Sequence, residues 1–206
     1  MCQFIETIRV FDGRPCNLPY HVARVNDTCR QFWNRCFPIP FEQVLREVRF
    51  PAGLCKLRFV YDESGVQDVS CQTYVPRKIG SLQIVYDDDV DYSFKKRDRS
   101  YLNLLKLQQG DADEILIVKQ GIITDTSFTN VAFFDGHQWF TPSAPLLRGT
   151  MRASLLDRHA VIERDIRVAD LSSYRAVSLI NSMLPLRQSE LPVTAIRDQR
   201  HLLQSD

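Results

Sequence analysis

The chain has 206 residues, 26 basic against 25 acidic, for a formal net charge of +1. Lys and Arg are scattered, and the short KKRDR run at 95–99 is balanced by DDDVD just before it, so the chain offers no electrostatic footprint for nucleic acid or an anionic membrane surface. The length suits one large domain or two small ones closing over a cleft, with enough apolar surface for a core without covalent staples.

Residues 3–11 alternate as a strand and meet a turn at Asp12-Gly13. Asn17 and Pro19 then signal a helix start, and Val22, Val25, Cys29, Phe32, Trp33 and Cys36 recur beyond them at helical spacing. Phe41, Val44, Leu45 and Val48 predict a short helix over about 41–49, and strands follow near 54–61 and 67–75. Pro76-Arg77-Lys78, then Ile79-Gly80, combines turn chemistry with a charge cluster ahead of a new strand, SLQIVYD. This divides the chain into an N-terminal α/β domain over 1–76, a linker at 77–80 and a C-terminal domain over 81–206.

In the second half, Tyr101, Leu104, Leu105 and Leu107 predict a helix near 98–109, with Asp98 as its N-cap. ILIV, a turn at Gln120-Gly121 and IIT come next. VAFF-DG-HQWF predicts a hairpin, because Asp-Gly suits a type I′ turn. A helix over about 149–159 and strands near 160–167 and 176–181 complete the chain. Strands and helices mix without strict βαβ alternation, which favours an α+β fold over a doubly wound sheet.

MCQFIETIRVF lacks the cationic start and apolar core of an export signal, and no apolar run approaches membrane-spanning length. Six cysteines (2, 16, 29, 36, 55 and 71) are irregularly spaced with no CxxC. They read as reduced, mostly buried thiols of a cytoplasmic protein. The four histidines form no HxxxH or HExxH pair, so no metal site is expected.

Five features bear on chemistry. In LLRGTMR, Gly149 lets the chain turn into a helix whose first amides, at Thr150 and Met151, can bind phosphate with help from the helix dipole. Asp125 follows GIIT; it is either a turn or cap residue or a carboxylate facing a pyridine nitrogen, with Asn130 fixing its turn. Lys95 and Lys96 stand where a strand gives way to a helix, as solvated surface charges or as a Schiff-base amine kept partly neutral by nearby cations. Arg24, in His21-Val-Ala-Arg24, is a solvated helix residue or a bidentate phosphate ligand. Asn181-Ser182, at the end of AVSLI, could also meet a phosphate. Singly each is weak, but in this order they bracket a phosphate at one end and a cationic heteroaromatic ring at the other.

On these segments the chain resembles the class IV aminotransferases, the fold-type IV pyridoxal-phosphate enzymes. ETIRVFDG and LPYHVARV are similar to the family's first strand and HxxR helix, YSFKKRDRS to its lysine segment, GIITDTSFTNVAFF to its acidic turn, and TPSAPLLRGTMR to its phosphate helix. The resemblance implies a small N-terminal α/β domain and a larger β-rich C-terminal domain with pyridoxal 5'-phosphate between them, in a homodimer. It implies that Lys95 is the Schiff-base lysine and Asp125 the partner of the ring nitrogen. Arg24, Thr150, Met151, Asn181 and Ser182 would surround the phosphate, and Arg77 is a candidate for a substrate carboxylate. Three departures stand out. Asp125 replaces the usual glutamate, the chain begins almost at the ET strand, and Ser100 stands where branched-chain aminotransferases have a tyrosine, with Tyr101 beside it.

Among family activities, the short length, the lack of a GNY segment and the NSMLP stretch resemble 4-amino-4-deoxychorismate lyase, which releases pyruvate and leaves the folate precursor 4-aminobenzoate. The alternative is an amino acid aminotransferase of branched-chain or D-amino acid type. A third reading is a non-catalytic binding protein degenerated from that stock.

Overall fold

The computed structural model describes residues 2–34 and 41–198. The chain divides into two units, Met1–Pro76 with Phe94–Asp98, and Arg77–Ser93 with Arg99–Asp206.

In the first unit, β1 (Phe4–Phe11) turns through Asp12 and Gly13, both at positive φ (46° and 74°), into β2 (Arg14–Pro15). Helix α1 (Leu18–Trp33) starts after Asn17 with Pro19 in its first turn and ends at Asn34. Both asparagines are left-handed, a conformation their short polar side chains tolerate. Cys36, expected to extend this helix, lies outside the described residues. Helix α2 (Phe41–Glu47) is followed by β3 (Leu54–Asp62) and β4 (Gly65–Thr73), and the antiparallel sheet runs β2-β1-β3-β4. Alternation along β1 sends Phe4, Glu6, Ile8 and Val10 to one buried face, which packs with Val25 and Cys29 of α1 and with Leu57, Phe59 and Tyr61 of β3. Full burial of a side chain such as Phe59 contributes about 2 kcal/mol.

Residues 94–98 group with this unit although they are distant in sequence. Ile5 N–H donates to Lys95 O (2.9 Å), Arg97 N–H donates to Gln3 O (2.8 Å), and Phe4 pairs with Lys96 across an antiparallel bridge. The ring of Phe94 meets Phe32 edge-on at 5.0 Å.

The second unit begins with β5 (Leu82–Tyr86) and α3 (Ser100–Lys106). One 3-10 turn (Leu107–Gln109) extends α3, and Arg99 rather than Asp98 holds its capping position, without a side-chain bond. Next come β6 (Glu114–Lys119), β7 (Ile122–Thr126), β8 (Asn130–Phe134) and β9 (Trp139–Pro142). Helix α4 (Thr150–Asp157), β10 (Ile162–Arg164), β11 (Ala176–Ile180), β12 (Glu190–Pro192) and β13 (Ile196–Arg197) complete it. The strands run β10-β9-β8-β7-β6-β5-β13, and β11 lies against β8 and β12. Pairs β5–β6, β5–β13 and β9–β10 are parallel and the rest antiparallel. The mixed sheets and few helices match the α+β expectation.

The two-residue turn with both residues at positive φ forms at Gln120-Gly121 (51° and 77°), closing β6 on β7. The Asp-Gly hairpin takes another form. Phe134 pairs with Trp139, which leaves a four-residue connection, and only Gly136 within it has positive φ. The Asp135 carboxylate accepts from His137 N–H and Gln138 N–H (both 2.8 Å), so its side chain organises a wider loop.

The cysteines are less buried than expected. Of those described, Cys29 and Cys55 are buried, Cys16 and Cys71 partly so, and Cys2 is exposed. Among the described residues no helix is long and apolar enough to cross a membrane.

Candidate functional site

In the first unit the chemistry gathers where β1 faces α1. Glu6 is fully buried on the apolar face of its strand, opposite the His21, Val25 and Thr28 face of the helix. Arg24 donates to it twice, Nε to Oε1 (2.8 Å) and Nη2 to Oε2 (2.7 Å), and His21 Nδ1 lies 2.6 Å from Oε2. Burial opposes the charge on Glu6, but Arg24 and His21 outweigh it and hold the carboxyl at about 2. Burial pushes the imidazole of His21 below its usual range, with Glu6 pulling the other way. Because an ionised carboxylate only accepts, His21 carries its proton on Nδ1. The positive charge of Lys95 also acts on His21, so the lysine belongs to this group. Lys95 and Lys96 are both half-buried.

In the second unit six of the seven residues 124–130 are both polar and buried: Thr124, Asp125, Thr126, Ser127, Thr129 and Asn130. Such concentration is unlike a core, where polar side chains are sparse. The Thr126 hydroxyl receives Phe128 N–H (3.2 Å) and Thr129 N–H (2.9 Å) and shapes the turn between β7 and β8. Asp125 and Asn130 face each other at its mouth. Asn130 Nδ2 donates to Asp125 Oδ1 and to Leu147 O (both 2.8 Å), and Leu147 N–H donates to Asp125 Oδ2 (2.9 Å). The asparagine therefore acts through the carboxylate itself and a distant carbonyl, beyond the local turn contacts expected of it.

Burial pushes Asp125 up to about 7, because the amides of Leu147 and Asn130 and the charge of Arg152 offset only part of the desolvation. Arg152 spends its own contacts on Pro142 O (2.8 Å) and Glu163. Among the described residues no cation bonds to Asp125.

Leu147 leads into Gly149 and α4. The helix ladder opens with Ala153 N–H to Gly149 O (2.9 Å), which places the first-turn amides of Thr150, Met151 and Arg152 at the positive end of the helix dipole. Asn181 Oδ1 accepts from Met183 N–H (2.8 Å) and Leu184 N–H (3.0 Å), and its Nδ2 donates to Phe128 O (3.3 Å). These bonds build the tight turn that carries Ser182. Arg77 donates to Glu114 Oε2 (2.8 Å), which Lys106 also reaches (2.7 Å), and its guanidinium lies 5.2 Å from the centre of the Phe128 ring.

These residues suit pyridoxal phosphate. Among the described residues no cation bonds to the buried Asp125, which leaves its charge to be matched by a protonated ring nitrogen, and the positive end of the α4 dipole suits a phosphate. The structure groups Lys95 with Arg24 in the first unit, and Asp125 with the Thr150–Met151 helix start in the second. Glu6 was missed by sequence reasoning. Its signal was an acidic residue on the buried face of the FIETIRVF strand.

The family model described as Amino-transferase class IV matches residues 94–196. A Haemophilus influenzae protein without assigned function is 31% identical over 189 residues, 89% of this chain and 98% of its own. A Schizosaccharomyces pombe protein provisionally named aminodeoxychorismate lyase is 26% identical, covering 84% of this chain and 83% of that protein. A Haemophilus somnus structure provisionally named 4-amino-4-deoxychorismate lyase superposes with a TM-score of 0.80 at 34% identity, over 90% of this chain and 98% of that one. A hypothetical aminotransferase from Mycobacterium tuberculosis in its PLP-bound form shares the fold (TM-score 0.68, 20% identity, 94% of this chain and 81% of that one).

Proposed function

The chain is an enzyme of the class IV aminotransferase family, and on that premise we propose that it is a pyridoxal-phosphate-dependent 4-amino-4-deoxychorismate lyase. The observation that carries the cofactor is the wholly buried Asp125, bonded only by neutral amides. The choice of lyase is supported by the names of the H. somnus structure and the S. pombe protein, both similar over most of this chain.

In this reading Lys95 is the covalent anchor. In the second unit the amides of Thr150 and Met151 and the hydroxyl of Ser182, which Asn181 presents, are phosphate ligands, and in the first unit Arg24, clamped by Glu6, is assigned the same role. Asp125 keeps the ring nitrogen protonated. Bound pyridoxal phosphate supplies the electron sink for the carbanion at the substrate carbon bearing nitrogen. The Lys95 amine, as general base, would take the proton from that carbon. The bond to the enolpyruvyl oxygen then breaks, the departing group is protonated to pyruvate, and the ring becomes aromatic as 4-aminobenzoate. Arg77 supplies a cation for a substrate carboxylate. The active form is a cytoplasmic homodimer.

An aminotransferase would begin with the same proton removal and end by returning that proton to the cofactor. Purified enzyme given aminodeoxychorismate should release 4-aminobenzoate and pyruvate in equal amounts. Glutamate formed from amino acids and 2-oxoglutarate, with no aminobenzoate, would replace the lyase by the aminotransferase.

A further inference from the structure

Gly149 has φ −71° and ψ 144°, an extended conformation open to any residue, so its backbone does not require glycine. Space does. A Cβ built there would lie 2.0 Å from Asn130 Oδ1, inside any permitted contact, and a tight 3.2 Å from Cγ. The Asn130 carboxamide thus occupies the volume a side chain at 149 would need. Both of its N–H groups are engaged, one on Asp125 and one on Leu147 O. Leu147 closes the loop by donating its own N–H to the other Asp125 oxygen. Asn130 is itself held in the sheet, opposite Asp125 on one side and Ile180 on the other. One amide therefore ties the acidic side chain to the start of α4 by two hydrogen bonds and a close fit.

We propose that Asn130 and Gly149 form a latch in which Asn130 is a positioning residue, setting the fixed distance between the Asp125 carboxylate and the amides of Thr150 and Met151. The proposal rests on the cofactor reading above. A ligand with a basic heteroaromatic nitrogen at one end and a phosphate at the other is then recognised by its length as well as by its two ends. Inorganic phosphate alone makes no contact with Asp125 and is indifferent to the latch.

Two measurements on the full-length protein test this. In cofactor-free protein, Gly149→Ala should lower the urea midpoint sharply in the wild-type background and much less in Asn130→Ala, where the clash is gone. Additive effects would overturn the latch. In the second measurement, Asn130→Ala should weaken pyridoxal phosphate binding by on the order of tenfold to a hundredfold while leaving inorganic phosphate affinity nearly unchanged. Asn130→Ser replaces it should the alanine variant fail to fold. Equal losses for both ligands, or none for either, would overturn the positioning role while the wild type still binds cofactor. A wild type that stays colourless with added pyridoxal phosphate overturns the cofactor reading and this role with it, whatever the urea result.

Discussion

Glu6 and Asp125 are both buried carboxylates, one in each unit, and they carry opposite electrostatics. Glu6 meets an arginine fork and a histidine and stays ionised down to about 2. Asp125 meets only amide donors and is pushed up to about 7. Depth of burial is the same, so partners decide the charge state. A carboxylate bonded to cations keeps its charge inside the fold, whereas one bonded to neutral amides is protonated more readily.

The largest test of this contrast removes the amine. Lys95→Ala should lower turnover by ~10³-fold or more with the fold retained by circular dichroism, while Lys96→Ala retains most activity. Full turnover in Lys95→Ala would overturn its role. Next, Asp125→Ala should lower cofactor-dependent turnover by roughly 10²-fold or more, with restoration by Asp125→Glu.

Glu6→Ala should destabilise the protein by about 3 kcal/mol at neutral pH, since it leaves Arg24 and His21 facing an empty acceptor. The folded value of Glu6 lies below its ordinary 4.5, so its contribution is present above that and is lost as pH falls towards about 2. Urea titrations should therefore show wild type and Glu6→Ala converging in acid.

Asp125 has the opposite sign. Its folded value is raised from 3.8, so the cofactor-free protein should lose stability as pH rises from about 4 to 7 and level off above. Asp125→Ala should flatten that slope, and a slope that persists would assign it to another group. The smallest effect belongs to Arg77, whose side chain is more than half exposed. Arg77→Ala should change stability by less than ~1 kcal/mol yet raise KM for aminodeoxychorismate.

Strand alternation and helix start signals made β1, α1, β3 and β6 legible, because both periodicities are local. The Asp-Gly hairpin misled for a local reason too: Asp135 turned its carboxylate onto two backbone amides, a competing turn the dipeptide rule omits. Within the site, Asp125, Asn130 and Gly149 were visible as residues. The contact between Asn130 and Gly149 was not, because nineteen positions of chain separate them and only packing brings the Asn130 carboxamide into the space a Cβ at 149 would need. Glu6 escaped for a related reason, as its partners Arg24 and His21 lie a turn and a helix away.

By itself the chain's order of residues determined the element types, the family and which side chains carry reactive groups, since these follow from short-range stereochemistry and from recurring segments. Only the folded arrangement decided that Glu6 is bonded to cations and Asp125 to neutral amides. A carboxylate's charge depends on donors brought to it across the chain, and no local pattern records how many of those donors are cations.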